Sequence, residues 1–341
     1  MFTRAPEPLT PYFHPTTACF IDDNEAFLTG LELMLPEHMN SVSFFDPEDA
    51  LAFVNQPPHL PSLADRCFTQ QTHQQQTLFS LDIGLIEQEI NLPQRFDRLS
   101  VVIVDYSMPT LSGLDFCERI KDPHVGKVLL TGVADEKTAV EAFNAGIIDR
   151  FISKSHALAS ERISEFSASM QQAFFRSQAQ QLQSTLGLAS PTFLNSVRVA
   201  EFVRRIMRKH NFCEYYLANN PPGLVMLKPN GEMQQLIVIT ADQLTAQAEF
   251  AKQQGAPWLA QRRLNKGSHV GFFLESPESY AADEAYPWSQ FIHRAVRLSD
   301  ENQTWHAAMV KQPPLHIDYR PEDVSLRAYL KARTGSPEKR S

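Results

Sequence analysis

One short segment constrains the fold of this chain more than any other. Residues Val101–Val104 form an unbroken β-branched run that ends at Asp105, and the turn-forming residues Ser107-Met108-Pro109 follow soon after. A short apolar run bounded by a turn is typical of a strand buried on both faces of a parallel sheet. Ligands of such open sheets bind just beyond the carboxyl ends of the strands, so the sequence predicts that Asp105 lies in a crevice.

Other predicted strands also end on polar side chains. The run Ala18–Ile21 leads into Asp22 and Asp23, and two later apolar runs end at Thr131 and Lys154. Adjacent carboxylates repel each other, and a hard divalent cation with oxygen ligands relieves that repulsion. Phosphoryl transfer uses a nucleophile, metal ligands and hydroxyl or cationic donors, and these residues supply all three kinds of group.

Each of these residues also has an ordinary structural interpretation. A lone Asp after a strand often caps the next turn, Thr131 would cap a helix, and Lys154 would be solvated. The segment Asp22-Asp23-Asn24 would serve only as the N-cap of a helix over Glu25–Leu35. The order of the polar residues at successive strand ends favours the chemical interpretation over separate coincidences.

The order of these motifs over residues 16–160 resembles the receiver domain of bacterial two-component response regulators, including the family's proline and glycine positions at Pro109 and Gly113. The resemblance implies Asp105 as the phosphoacceptor. The Mg²⁺ ligands that it implies are Asp22 (through water), Asp23, Asp105 and the backbone carbonyl of Ser107. The residues that it implies for switching and phosphoryl contact are Thr131, Phe151 and Lys154.

The resemblance also implies partners. A sensor histidine kinase or a histidine phosphotransfer protein would supply the phosphoryl group, and phosphorylation would favour a homodimer. Four scattered cysteines without CxxC spacing argue against a disulfide framework. No apolar run approaches the roughly 18 residues of a membrane span, and Met1–Pro15 lacks the apolar core of a signal peptide. We therefore expect a cytoplasmic protein without a membrane partner.

The length of 341 residues predicts two domains. We expect a receiver domain over residues 16–160, a connector helix over 161–190 and an output domain over 191–335. The expected fold class is an α/β doubly wound parallel-sheet receiver (flavodoxin-like), followed by an α+β output domain with a mainly antiparallel sheet.

The predicted receiver contains an insertion over about residues 56–98, since Asp105 follows Asp23 by 82 residues. Its Gln-rich tract at 69–76 is typical of disorder. Its apolar part at 78–86 predicts a short helix that packs on the receiver or, alternatively, contacts a partner.

The second half of the chain differs from the first in charge. Residues 1–190 carry 12 Lys and Arg against 24 Asp and Glu, a net charge of −12, whereas residues 191–341 carry 19 against 15, a net charge of +4. A helix predicted over residues 192–209 has a basic side, which would track phosphates or simply be solvated. The candidate nucleic-acid or anion contacts are Arg198, Arg204, Arg205, Arg208, Lys209, Arg262, Arg263 and Lys266.

The predicted output domain has no motif that names its activity. Strands are predicted around 214–217, 223–228, 232–240, 270–274 and 301–310, with a hairpin turn at Pro229-Asn230-Gly231 and helices over 241–254 and 321–333. Size and element order are similar to those of Lqs-type quorum-sensing response regulators, whose antiparallel output domain resembles nucleotide-binding proteins. Three hypotheses follow: a regulator of gene expression acting through nucleic acid or a nucleotide, a protein-interaction module, or an enzyme. The absence of GxxxxGK[ST] and HExxH motifs argues against the enzyme.

Overall fold

The chain passes five times between two structural units. The computed structural model describes residues 7–36, 39–58, 61–73, 76–132, 135–186, 192–273, 288–301, 303–313 and 319–334. One unit, here called the parallel unit, consists of His14–Asp65, Leu92–Ser184 and Leu326–Ser341. The other, the antiparallel unit, consists of Met1–Phe13, Arg66–Asn91 and Thr185–Ser325.

The parallel unit is a five-stranded sheet with helices on both faces. Its strands are β2 (Thr17–Ile21), β3 (Ser41–Phe44), β6 (Leu99–Asp105), β7 (Gly126–Thr131) and β8 (Arg150–Ser153). Its helices are α1 (Glu25–Met34), α2 (Pro47–Val54), α5 (Gly113–Glu118), α6 (Glu136–Asn144), α7 (Ala159–Leu186) and α12 (Leu326–Thr334). The strand order is β3-β2-β6-β7-β8 and every pairing is parallel. The predicted doubly wound fold is confirmed.

The central strand β6 explains why the Val101–Val104 run carries so much information. Val102 and Val104 are buried in the core on one face, and Val101 and Ile103 are buried in the core on the other. Burying both faces of one strand requires apolar residues at every position, which removes the alternation that a half-exposed strand would show. The run therefore predicts the centre of a parallel sheet.

One of the three polar residues after β2 is the N-cap of α1, and the sequence did not decide which. The N-cap of α1 is Asn24, whose side chain accepts a hydrogen bond from the backbone N–H of Phe27 at 3.0 Å. One oxygen of Asp22 accepts from the backbone N–H of Asn24 at 3.0 Å. Since Asn24 caps the helix, the capping interpretation does not account for Asp22 and Asp23.

The antiparallel unit is built around a six-stranded sheet. Its strands are β1 (Tyr12–Phe13), β9 (Glu214–Asn219), β10 (Pro222–Leu227), β11 (Met233–Thr240), β14 (Val296–Ser299) and β15 (Thr304–Val310), in the order β1-β9-β10-β11-β15-β14. Two further strands, β12 (His269–Gly271) and β13 (Ile292–Arg294), pair with each other. Its helices include α8 (Val197–His210), α9 (Ala241–Gln253), α10 (Trp258–Asn265) and α11 (Pro321–Val324). The pairings within the six-stranded sheet are antiparallel, which confirms the predicted α+β class.

The insertion differs from its prediction in both structure and location. It contains α3 (Leu63–Cys67), the paired strands β4 (Phe68–His73) and β5 (Gln76–Leu81), and α4 (Ile83–Gln88). The expectation of disorder in the Gln-rich tract is wrong, and the helix expected over 78–86 begins only at Ile83, because 76–81 forms β5. The Thr and Phe residues within and beside the tract favour strands there. Packing on the receiver is also wrong for 66–91, since this segment belongs to the antiparallel unit. There, Glu87 of α4 accepts a hydrogen bond from the backbone N–H of Asn219 at 3.3 Å.

The last helix, α12, belongs to the parallel unit although it follows the antiparallel strands in sequence. The Tyr329 hydroxyl donates a hydrogen bond to Asp97, and the Tyr329 ring packs against Phe96 in a tilted arrangement, at 5.2 Å between centroids. Arg333 donates to the side-chain oxygen of Asn40. These contacts fix α12 to segments that precede β3 and β6.

Two remaining features complete the fold. The predicted connector corresponds to α7, and the breaking residues Gly187 and Pro191 lie outside the described residues. Every helix within the described ranges is too short or too polar to span a bilayer.

Candidate functional site: an acidic cluster with one lysine

Parallel registry brings the predicted site residues to one edge of the sheet. Ile21 pairs with Val104, Asp105 with Leu130, and Thr131 with Ser153, so the strands end side by side. Carboxylate oxygens of Asp22, Asp23 and Asp105 lie within 4.8 Å of one another. Asp22 and Asp105 are buried and Asp23 is exposed. The three acids therefore converge at the ends of neighbouring strands.

Lys154 bridges the two buried acids. Its Nζ lies 2.6 Å from Oδ2 of Asp22 and 2.9 Å from Oδ1 of Asp105. The contacts with Asp22 and Asp105 make Lys154 the shared cation of the two carboxylates. The Nζ also lies 4.7 Å from the centroid of the Phe27 ring, a cation–π contact. Sequence reasoning missed Phe27 because an aromatic residue in the first turn of a helix gives no signal of such a contact.

The other predicted site residues occupy different positions. Thr131 is fully buried, and its hydroxyl points to the carbonyl of Ile152 at 3.5 Å, the outer limit for a hydrogen bond. Phe151 is half-buried and packs against the core beneath α2, α5 and α6. Ser107 is exposed in the turn after β6. The backbone N–H of Lys154 donates to the carbonyl of Thr131 at 2.9 Å, while no hydrogen bond or ion pair joins the side chains of Thr131, Phe151 and Ser107 to the acids among the described residues.

A glycine packs directly against the backbone of Asp105. A Cβ placed on Gly113, the first residue of α5, would lie 2.2 Å from the carbonyl oxygen of Asp105. The backbone N–H of Gly113 donates to the carbonyl of Tyr106 at 3.0 Å. The close approach of α5 requires a residue without a side chain and holds the turn after β6 in place.

Burial and charge pull the ionisation of the site in opposite directions. Burial raises the pKa of Asp105 above its ordinary 3.8, and the hydrogen bond and charge of Lys154 offset this only in part. Burial opposes the charge on Lys154, but its two carboxylate partners outweigh burial and raise the Lys154 pKa above 10.5. The lysine therefore stays charged at neutral pH and serves as the counter-charge for buried acids.

These residues fit a hard divalent cation. Three carboxylates converge, and among the described residues Lys154 is the cation that contacts the two buried ones, Asp22 and Asp105. Oxygen ligands with negative charge are those that Mg²⁺ prefers, and it usually retains several waters. An exposed acid such as Asp23 suits that partial hydration.

The raised pKa of Asp105 predicts a pH-dependent stability. The folded protein holds the Asp105 proton more tightly than the unfolded chain, so protonation of this carboxyl stabilises the fold. That stabilisation is fully present below pH 3.8, the ordinary pKa, and is lost as pH rises through the raised folded pKa. Without Mg²⁺, Asp105→Asn is therefore expected to unfold at higher urea concentration than the wild type at pH 7. The difference should shrink as the pH falls towards 4. Urea titrations of both proteins at several pH values would measure it, and a difference that does not change with pH would contradict the expectation.

The basic candidates in the antiparallel unit fall into two groups. On α8, Arg204 donates to the backbone carbonyl of Glu7 and Arg198 lies 3.5 Å from Glu201, whereas Arg208 and Lys209 are exposed. Arg205 is also exposed and lies over the ring of Phe202 at 5.3 Å. The second group, Arg262, Arg263 and Lys266, is exposed on α10. Arg204 is thus committed to a structural contact, and the two groups stand on separate helices.

Comparison with known proteins shows similarity to one family. Residues 87–162 match the response regulator receiver domain family. The matched stretch contains β6, β7 and β8 with Asp105, Thr131 and Lys154, so this part of the chain is similar to a receiver domain. The comparison with curated proteins gave no match.

The similarity extends beyond the receiver. The structure of the response regulator LqsR from Legionella pneumophila is similar over 97% of this chain and 97% of that chain, at 29% identity and a TM-score of 0.75. An adenylate cyclase from Rhodopirellula baltica covers 50% of this chain and 98% of its own, at 20% identity and a TM-score of 0.35. A receiver domain protein from Clostridium thermocellum covers 48% and 97%, at 19% identity and a TM-score of 0.31. The TM-score of 0.75 shows that this chain and LqsR share a two-part architecture.

Proposed function

We propose that this chain is the phosphorylated switch of a two-component phosphorelay, with Asp105 as the phosphoacceptor. The observation that carries the proposal is the convergence of Asp22, Asp23 and Asp105 around Lys154 at the carboxyl edge of the sheet. A carboxylate oxygen of Asp105 would attack phosphorus, and the phosphohistidine of a kinase or phosphotransfer protein would lose its phosphorus–nitrogen bond. The leaving group is the histidine imidazole. Lys154 would then neutralise charge on the transferred group.

The proposed metal is Mg²⁺. Asp22, Asp23, Asp105 and the backbone carbonyl of Ser107 would hold it, and it would neutralise charge on the phosphoryl oxygens. Phosphorylation adds about two negative charges beside Lys154. Thr131 is buried at the end of the neighbouring strand, so its hydroxyl is placed to turn from Ile152 towards the new oxygens, and Phe151 would follow.

For the output we propose regulation of gene expression, coupled to homodimer formation when Asp105 is phosphorylated. Exposed cations on α8 and α10 of the antiparallel unit support contact with an anionic partner. The second candidate is a protein-interaction or nucleotide-binding module without direct DNA contact. It is supported by the engagement of Arg198 and Arg204 within the protein itself, which leaves α8 with fewer cations for phosphates.

The molar mass in solution tests the switch. Light scattering would compare wild type and Asp105→Asn with Mg²⁺, with and without beryllofluoride, which stands in for the phosphoryl group on a carboxylate. We expect a monomer-to-dimer shift in the wild type alone. If both proteins bind Mg²⁺ and beryllofluoride equally, the assignment of Asp105 is wrong. If the wild type alone binds them but keeps its mass, dimerisation is not the output.

A further inference from the structure

The exposed side of α10 carries cationic and apolar side chains and one amide, Asn265. Trp258, Leu259, Arg262, Arg263 and Lys266 are all exposed, and Trp258 is 68% exposed. At about 100° per residue these five positions fall within an arc of about 140° on the helix surface. The opposite side of α10, with Ala260 and Leu264, is buried in the core of the antiparallel unit. The helix thus presents one continuous surface, here called the α10 surface.

The strand pair β12–β13 extends this positive surface. His269 pairs with Arg294 across the two strands, and the Ser268 hydroxyl contacts both the carbonyl of Arg263, at 3.1 Å, and Nδ1 of His269, at 3.0 Å. Burial lowers the pKa of His269, and the charges of Arg263 and Arg294 lower it further. The effect of both arginine charges on the pKa of His269 indicates that the electrostatic potential at this position is positive.

The cations of this region are not neutralised within the described part of the chain. Residues 252–273 and 288–299 contain six Lys and Arg and no Asp or Glu, whereas the segment 274–287, outside the described residues, contains Glu275, Glu278, Asp283 and Glu284. Arg262, Arg263, Lys266 and Arg294 make no ion pair with a carboxylate among the described residues. Exposed cations grouped in this way favour an anionic partner.

The surface is also held in a fixed position. Gly267, which ends α10, has a φ of +66°, and a Cβ there would lie 2.5 Å from Cε1 of His306. His306 is buried on β15, and its Nδ1 lies 3.0 Å from the carbonyl of Gly267. The turn after α10 is therefore packed directly on the central sheet, so the exposed side chains stand on a rigid support.

We propose that the α10 surface binds single-stranded nucleic acid, with Trp258 stacking on an unpaired base and Arg262, Arg263 and Lys266 contacting phosphates. The guanidinium of Arg262 lies 5.0 Å from the centroid of the Trp258 ring, so a cation and an exposed aromatic face stand together. Aromatic platforms beside basic side chains are how proteins bind unstacked bases and their backbone.

The chemistry of α10 favours a single strand over a duplex. Four residues join α9 to α10, as in helix-turn-helix proteins, which read duplex DNA. However, the exposed side of α10 places the large indole of Trp258 and the aliphatic chain of Leu259 among its polar groups, and these two side chains stack or pack against bases instead of reading the donors and acceptors of base edges. A tryptophan gains most from bases that are not already stacked within a double helix.

The inference rests on the proposed gene-regulatory output and does not require phosphorylation of Asp105. Binding of a fluorescent single-stranded RNA and of the matching DNA to the full chain would be measured by anisotropy over a range of salt concentrations. Arg262→Gln/Arg263→Gln is expected to lower the slope of log affinity against log salt by about 1.4, since each phosphate contact of a single strand contributes about 0.7. Trp258→Ala should weaken binding about 5- to 150-fold with an unchanged slope, and Trp258→Phe should restore most of it.

Two exposed lysines of the parallel unit provide the matched control. Lys121→Gln/Lys137→Gln removes the same charge and should leave affinity and slope nearly unchanged. Equal effects of the two double variants, or equal affinity for single strand and duplex, would overturn the inference. So would a wild type that binds no nucleic acid at low salt while it still responds to beryllofluoride, and that result would leave the proposed phosphorelay intact. If the wild type binds nucleic acid but does not respond to beryllofluoride, the proposed phosphorelay is wrong and the inference about the α10 surface stands.

Discussion

Asp105→Asn is expected to abolish phosphorylation of the chain by a small phosphodonor such as acetyl phosphate. The amide keeps the size and hydrogen-bonding shape of the carboxylate but has no nucleophilic anionic oxygen. Lys154 would keep its contact with Asp22, so the local fold should survive. Intact-mass measurement after incubation with phosphodonor and Mg²⁺ would show the phosphoryl adduct on the wild type and none on the variant.

The matched control for this experiment is Asp49→Asn. Asp49 is exposed in the first turn of α2, and its replacement makes the same chemical change away from the cluster. It should be phosphorylated like the wild type. An adduct that persists on Asp105→Asn would move the phosphoacceptor to another residue and leave the acidic cluster as a metal site only.

Lys154→Gln is expected to destabilise the metal-free protein by about 3 kcal/mol, because two buried carboxylates lose their counter-charge. The figure is taken at the lower end of the range for a broken buried pair, since the Lys154 side chain is 25% exposed. Mg²⁺ should restore most of the loss, because a divalent cation supplies the missing charge, and should bind the variant more tightly than the wild type. Urea unfolding of both proteins with and without Mg²⁺ measures these changes.

The control is an exposed lysine in an ion pair. Lys137 on α6 lies 3.9 Å from Glu141, and its side chain is 91% exposed. Lys137→Gln should change stability by no more than about 0.5 kcal/mol, with no response to Mg²⁺ beyond that of the wild type. Equal losses in the two variants would show that Lys154 does not balance the buried acids.

The acidic cluster could be predicted from the sequence because each strand end is marked locally by an apolar run followed by a polar residue. The carboxyl ends of parallel strands lie at one edge of the sheet, which brings Asp22, Asp105 and Thr131 together there. The contact between Lys154 and the Phe27 ring could not be predicted, since it depends on where the first turn of α1 lies in space.

The insertion shows the opposite case. The composition of the Gln-rich tract predicts disorder. The tract nevertheless forms strands, because β4 pairs with β5 and because the Thr and Phe residues within and beside it favour strands. The assignment of segment 66–91 to the antiparallel unit depends on contacts with residues more than a hundred positions away, such as Glu87 with Asn219. No local pattern encodes such a pairing.

The five crossings between the units constrain how this protein can be made and altered. Neither unit is a continuous stretch of chain, and the parallel unit takes its last helix from Leu326–Thr334. During synthesis the parallel unit cannot complete its fold until residues after 325 have emerged, and by then nearly all of the antiparallel unit has been translated. A stop codon before Leu326 would therefore leave the parallel unit incomplete and spare the six-stranded sheet that precedes it. For the same reason these two units cannot be recombined with other genes by a single join, as serially connected domains can.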